Sequence, residues 1–123
     1  MILTNNEIYN YASDLFEAFQ DNNQRLPIKI NFYLHKNKKT LLELSQDIEK
    51  SRIEIAKHYG VFDPETNKYN IPNEKLTAVN QELNDLFNLE QEVNIYKVNI
   101  NNLSDDFDLT TAQMEAIMFM IEE

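Results

Sequence analysis

Residues 28–59, IKINFYLHKNKKTLLELSQDIEKSRIEIAKHY, decide the fold, because they form a long run without Gly or Pro. Within this run, the residues suited to a buried seam recur at spacings of four and three: Ile30, Leu34, Asn37, Leu41, Leu44, Ile48, Ser51, Ile55 and Tyr59. This period predicts one helix over about 28–59, roughly 45 Å long at ~1.5 Å per residue. Gly60 is suited to follow its last turn, where Lys57 and His58 favour the negative end of the helix dipole.

A shorter helix is predicted on the N-terminal side of this run. The order Thr4-Asn5-Asn6-Glu7 matches a capping box, in which the Thr and Glu side chains each bind the other residue's backbone amide. Apolar residues then recur at helical spacing: Ile8, Tyr11, Ala12, Leu15, Phe16 and Phe19. The pattern predicts a helix over about 5–19 with one apolar face.

Several elements are predicted on the C-terminal side. Residues 61–71 indicate a small hairpin or ordered loop, since an Asp-Pro step favours a turn. Asn73 can cap a third helix, and the β-branched residues of 92–100 indicate one strand. A second capping box at Thr110–Gln113 opens a C-terminal helix. Its apolar stripe is predicted to be Met114, Ile117, Met118 and Ile121.

The fold class follows from these elements. We expect a mostly α protein with a minor β element, in which a long central helix packs with three shorter helices and a short strand or hairpin. A chain of 123 residues suits a single domain, here 1–123. One Gly and three Pro are too few for the many turns of a β-sandwich or barrel.

Composition excludes several classes of protein. The absence of Cys removes disulfide scaffolds, thiolate nucleophiles and Cys-ligated zinc sites. No apolar run reaches the ~18 residues of a membrane helix, and the N-terminus lacks a signal-peptide pattern. We therefore expect no membrane partner and a cytoplasmic location.

Charge is unevenly distributed along the chain, whose net charge is −10. Residues 1–24 hold four acidic side chains and no Lys or Arg, whereas residues 25–59 hold eight basic and four acidic side chains. Residues 60–123 hold thirteen acidic and three basic side chains. The acidic excess argues against direct nucleic-acid binding, because phosphate contacts need clustered Lys and Arg.

No catalytic, metal or cofactor site is predicted. His35 and His58 would lie about 35 Å apart on the long helix, too far to share a metal ion. The serines lack a nucleophile motif, and a single Gly excludes Gly-rich phosphate loops. The Asp105-Asp106-Phe107-Asp108 cluster could bind a cation, but it lacks the spacing of known calcium loops and suits an acidic turn. We expect no enzyme.

Candidate binding residues are mostly acidic. The predicted acidic contacts are Glu82, Asp85, Glu90, Glu92, Asp105, Asp106 and Asp108. Phe119 is an apolar candidate beside three Met residues that could form an adaptable face or belong to the core. Lys36, Lys38 and Lys39, with Arg25 and Lys29, could contact phosphates. We favour instead a solvated helix face paired with the acidic ends of the chain.

Short motifs along nearly the whole chain resemble those of a known family. They are Leu26-Pro27-Ile28-Lys29, Lys36-Asn37, His58-Tyr59-Gly60, Val93-Asn94-Ile95-Tyr96-Lys97-Val98, Leu109-Thr110 and Phe119-Met120-Ile121-Glu122-Glu123. The pattern resembles a family of small phage and prophage proteins of low-GC bacteria, known only as a domain of unknown function. The resemblance implies a phage origin and brings no activity, cofactor or site residues.

Three functions compete on these grounds. The first is an inhibitor of a bacterial antiviral defence protein, because a dense carboxylate surface can occupy a basic groove by imitating phosphate charge. The second is a phage assembly or structural accessory protein or small chaperone, since a long apolar seam suits helix association and homo-oligomers. The third and weakest is a nucleic-acid accessory protein that uses the lysine cluster. The partner would be a host or phage protein in the infected bacterial cytoplasm.

Overall fold

The computed structural model describes residues 1–20, 26–99 and 109–122. Its α-helices are α1 (Asn5–Ala18), α2 (Ile28–Tyr59), α3 (Leu76–Asn88) and α4 (Thr111–Ile117). Its strands are β1 (Ile2–Thr4), β2 (Val61–Asp63), β3 (Lys68–Asn70), β4 (Glu90–Glu92), β5 (Val98–Asn99) and β6 (Ile121–Glu122). The predicted class is confirmed: the protein is mostly α with short strands around one long central helix.

The long helix α2 has the predicted bounds, and its seam is buried over its first five turns except at Leu44, which is half-buried. The buried seam residues are Ile30, Leu34, Asn37, Leu41 and Ile48. Beyond them, Ile55 and Tyr59 are half-buried and Ser51 is exposed. Tyr9 near the start of α1 bonds to Glu49 of α2, whereas Phe16 near the end of α1 lies beside Lys38. The helices α1 and α2 are therefore antiparallel.

Gly60 follows the last turn of α2, as predicted, and its backbone is extended. A glycine after a helix usually adopts a left-handed conformation, whereas Gly60 has φ −97° and ψ 166°. Its amide donates to the Ala56 carbonyl at 2.8 Å, and a Cβ placed on it would lie 2.6 Å from that same oxygen. Close approach of the backbone, not a positive φ, requires glycine here.

Both predicted capping boxes are confirmed. The Thr4 hydroxyl accepts from the Glu7 amide at 3.1 Å, and the Glu7 carboxylate accepts from the Thr4 amide at 3.0 Å. Thr110 and Gln113 make the same pair of bonds at the start of α4. The predicted cap of the third helix is wrong. Asn73 instead lies in a 3₁₀ turn that precedes α3, and its side chain makes no capping bond.

The hairpin predicted in 61–71 is confirmed, whereas the strand predicted over 92–100 is wrong in extent. Strands β2 and β3 pair antiparallel. Strand β4 pairs antiparallel with β1, and β5 pairs parallel with β6. In the segment between β4 and β5, the Tyr96 amide donates to Asn37 Oδ1 at 2.8 Å. The Tyr96 carbonyl accepts from Asn37 Nδ2 at 2.9 Å. A buried side-chain amide thus takes the place of a neighbouring strand at this point.

The C-terminal helix is shorter than its sequence suggests. Helix α4 ends at Ile117 and tightens into a 3₁₀ turn over Met118–Met120. Because a 3₁₀ helix has about three residues per turn, the following side chains rotate away from the predicted stripe. Met118 is consequently 64% exposed, whereas Met120 is fully buried. The stripe that included Met118 is therefore wrong at that position.

Helices α1, α2 and α4 share one core with β1 and the segment after β4. Its fully buried side chains are Ile8, Leu15, Asn37, Leu41, Val93, Val98, Ile117 and Met120. Burial of one large apolar side chain contributes about 1.5–3 kcal/mol. This core fixes α1 against α2, which positions the surfaces described next.

Candidate functional site

The acidic surface consists of Glu82 and Asp85 on α3 together with Glu90 and Glu92 on β4, and all four side chains are exposed. Glu90 and Glu92 stand on the same side of β4, because side chains alternate along a strand. Gln91 between them is half-buried and donates to Asn5 Oδ1 at 2.6 Å. That inward bond keeps the two carboxylates directed outward.

Few cations neutralise the acidic surface. Glu92 accepts from the N-terminal ammonium group at 3.0 Å, and Asp85 accepts from the neutral Gln81 amide at 3.1 Å. Glu82 lies near Tyr59: partial burial raises the pKa of Tyr59, and the Glu82 carboxylate raises it further. Within the described ranges, Glu92 alone of the four has a cationic partner. The predicted residues Asp105, Asp106 and Asp108 lie outside the described residues.

Three lysines of α2 contact aromatic rings. Lys29 Nζ lies 5.8 Å from the centre of the Tyr33 ring, and Lys36 Nζ lies 5.4 Å from that of Phe32. Lys38 Nζ lies 5.8 Å from the centre of the Phe16 ring on α1. These distances are those of cation–π contacts. In the described part of the chain no salt bridge joins these ammonium groups to a carboxylate, so the predicted pairing with the acidic ends is not found there.

An apolar groove of about 400 Å³ runs between the antiparallel helices α1 and α2. We call it the α1–α2 groove; it is lined by Tyr9, Ala12, Ser13, Phe16, Glu17, Leu42, Ser45, Gln46 and Glu49. Phe16 is 60% exposed and Leu42 is 47% exposed. The sequence predicted Phe16 on the buried face of α1, and the structure places it on the rim of this groove instead.

A second hollow of about 250 Å³ continues the groove toward the N-terminal half of α2. It shares Ala12, Phe16 and Leu42 with the groove and adds His35, Lys38 and Lys39. We call this the basic end of the groove. The combined hollow therefore has an apolar middle and a positively charged end.

Ser45 is the one buried polar side chain on the groove lining. Its residue is 9% exposed, and its Oγ has no hydrogen-bond partner. A buried hydroxyl without a partner costs about 1–3 kcal/mol of desolvation free energy. Sequence reasoning missed this residue, because its meaning depends on how α1 packs beside it.

A side-chain network closes the other end of the groove. Tyr9 donates its hydroxyl hydrogen to Glu49, and Arg52 Nε donates to Glu49 Oε2 at 3.0 Å. Hydrogen bonds from Arg52 and from Tyr9 lower the pKa of Glu49 to about 2. The same bond to the carboxylate raises the pKa of Tyr9. Glu49 is thus an ionised and already partnered boundary of the groove.

Phe119, the predicted apolar contact, packs against α1. Its ring stacks on that of Tyr11 with centroids 4.5 Å apart and planes 7° apart. The side chain is half-buried and adjoins the core. This contact gives Phe119 a structural role, and a binding role for it stays a prediction.

The described residues contain no group of three His, Asp or Glu side chains arranged to hold a metal ion. His35 and His58 are both exposed on α2. Nor do residues 1–20, 26–99 and 109–122 include a helix long and apolar enough to span a membrane.

No protein-family model matches the chain, no curated protein matches it, and no solved structure matches it. The resemblance to small phage and prophage proteins therefore stays a prediction.

Proposed function

We propose that this protein is a non-enzymatic, phage-encoded binding protein that inhibits a bacterial antiviral defence protein. In this proposal the acidic surface covers a positively charged groove of the target. The observation that carries it is the exposure of Glu82, Asp85, Glu90 and Glu92, of which only Glu92 has a cationic partner within the described residues.

Exposed carboxylates that mostly lack cationic partners suit this role physically. They create a negative potential that accelerates encounter with a basic surface. They also lose little on binding, because the one ion pair that has to break, between Glu92 and the N-terminal ammonium group, is exposed. A target whose groove normally holds nucleic acid offers the complementary charge. Binding of this kind weakens as salt concentration rises.

An infection assay tests the proposal. A phage is plated on matched hosts that carry or lack a given defence system, with and without this protein expressed. We expect the protein to restore plating on at least one defence-positive host and to change nothing on the defence-negative host. Equal plating with and without the protein on every host of a broad defence panel would reject the inhibitor function.

A specific observation favours the alternative, a phage assembly or structural accessory protein or small chaperone. Ile28, Phe32 and Leu42 are large apolar side chains that α2 leaves exposed. Such side chains suit contacts with other virion proteins. Light scattering combined with purification of virions and assembly intermediates tests this function. A monomer that is absent from all of them would contradict it.

A further inference from the structure

The α1–α2 groove has three properties that no contact within the described residues explains. It is apolar and about 400 Å³ in volume, its rim side chains Phe16 and Leu42 are exposed, and it continues into the basic end. Buried on its lining is the Ser45 Oγ, which lacks a hydrogen-bond partner.

We propose that the α1–α2 groove binds an amphipathic helix of a second protein, with acidic residues where that helix meets Lys38 and Lys39. The groove lies on α1 and α2, whereas the acidic surface lies on α3 and β4. The inference therefore concerns a second binding surface and does not depend on the proposed inhibition.

The shape of the groove favours a helix over a small molecule. From His35 to Glu49 the groove follows fourteen residue steps of α2, about 21 Å, which is the length of a helix of about four turns. Small-molecule sites enclose most of their ligand, but this groove is open along its rim. A helix laid between α1 and α2 covers Phe16 and Leu42 with its own apolar side chains at i, i+3, i+4 and i+7.

The charges of the groove favour an acidic partner. His35, Lys38 and Lys39 surround the basic end, and the Lys38 ammonium is held over the exposed Phe16 ring. At the opposite end the Glu49 carboxylate is already bonded to Tyr9 and Arg52. On the α1 wall, the Glu17 carboxylate makes no such bond to any other described residue. The free charge at the basic end is thus positive, which selects carboxylates on the bound helix.

A displayed library of helical peptides with one randomised face tests the inference on the full chain. Selection uses the immobilised wild-type protein, with counter-selection on Leu42→Glu to remove helices that bind elsewhere. We expect the enriched peptides to combine apolar residues at helical spacing with Asp or Glu at one end. Their affinities are then measured by fluorescence anisotropy.

Matched variants separate the effect of charge at the groove on peptide affinity from the effect of the protein's net charge. The double variant Lys38→Glu/Lys39→Glu should weaken binding of the enriched peptides about tenfold or more. The control Lys50→Glu/Lys57→Glu makes the same charge change on exposed residues of α2 that do not line the groove, and it should change affinity by less than about twofold.

Several results would overturn the inference. They are the absence of any helix enriched over the Leu42→Glu counter-selection, enriched helices that are not acidic, or an affinity unchanged by the double variant Lys38→Glu/Lys39→Glu. Tighter binding of a single-stranded oligonucleotide through Phe16 and Lys38 would assign the surface to nucleic acid instead. Dimerisation abolished by Leu42→Glu would assign it to a second copy. Neutralising Glu82, Asp85, Glu90 and Glu92 should leave peptide binding unchanged, so failure here is distinct from failure of the inhibitor function.

Discussion

The acidic surface and the α1–α2 groove are built in opposite ways. The acidic surface carries exposed charges on α3 and the three-residue strand β4. It is defined by the charges of its residues more than by its shape. The groove exists only because α1 packs antiparallel to α2, and it combines a defined volume with one unpartnered hydroxyl. Charge along a chain can be read from sequence, whereas a groove requires knowledge of which helices meet.

The largest expected effect is a loss of folding stability, which would remove the acidic surface and the α1–α2 groove together. Ile48 is buried in the seam of α2, and Ile48→Asp would place an unpaired charge there. We expect the free energy of unfolding to fall by more than ~3 kcal/mol. Thermal melts followed by circular dichroism measure the loss. A shift in melting temperature of only a few degrees would mean that this seam position is accessible to water.

A somewhat smaller loss is expected from Asn37→Ala, which affects the core without adding a charge. Both backbone groups of Tyr96 would lose their bonds to Asn37. We expect a cost of about 2–3 kcal/mol, because buried polar groups would be left without partners. Chemical denaturation measures it. Asn94→Ala, an exposed asparagine in the same segment, is the matched control and should be close to neutral.

Most local features of the fold were predicted from sequence, except for the Asn73 cap of α3 and the stripe position of Met118, and the nonlocal features were not. The bounds of α2 and both capping boxes follow from residues close together in the chain. The bond between Asn37 and Tyr96 and the exposure of Phe16 depend on contacts between distant segments. The burial of Met120 instead of Met118 follows from the 3₁₀ turn after α4, which the helical period did not predict. The four residues of the acidic surface were predicted from charge alone and are exposed, whereas their binding role stays a prediction. The groove was not found, because Ser45 and Ala12 have no distinctive sequence pattern.

Loss of the capping bond at the start of α4 is expected to lower the free energy of unfolding by an intermediate amount. Thr110→Ala removes the hydroxyl that accepts from the Gln113 amide, and we expect a cost of ~0.5–2 kcal/mol. Thr77→Ala, an exposed threonine on α3, should cost little by comparison. Equal stability of the two variants would show that the capping bond contributes nothing.

Glu49→Gln tests the closed end of the groove through its pH dependence. The folded-state pKa of Glu49 is lowered from 4.5 to about 2, so its stabilising contribution is present above pH 4.5 and disappears as the pH falls toward 2. Because a third of the side chain is exposed, solvent screening limits the contribution to roughly 0.5–1 kcal/mol. Wild type and variant should differ at pH 7 and converge near pH 2. A constant difference across this range would contradict the assigned pKa.

Ser45→Ala should have the smallest effect on the free protein. Its Oγ is buried and unpartnered, so its removal should leave the unfolding free energy unchanged or raise it by up to ~1 kcal/mol. Ser51→Ala on the exposed side of α2 is the control. A loss above ~1 kcal/mol would show that the hydroxyl has a stabilising partner in the free protein.

The proposed inhibition is tested most directly by plating a phage on a defence-positive host that the wild-type protein sensitises. The acidic-surface variant combines Glu82→Gln, Asp85→Asn, Glu90→Gln and Glu92→Gln. The control variant combines Glu43→Gln, Asp47→Asn, Glu65→Gln and Glu74→Gln, which changes the net charge equally at other exposed positions. If the acidic surface contacts the defence protein, plating is restored by the control variant and lost with the acidic-surface variant, with both folded. Equal restoration by the two variants would contradict this account.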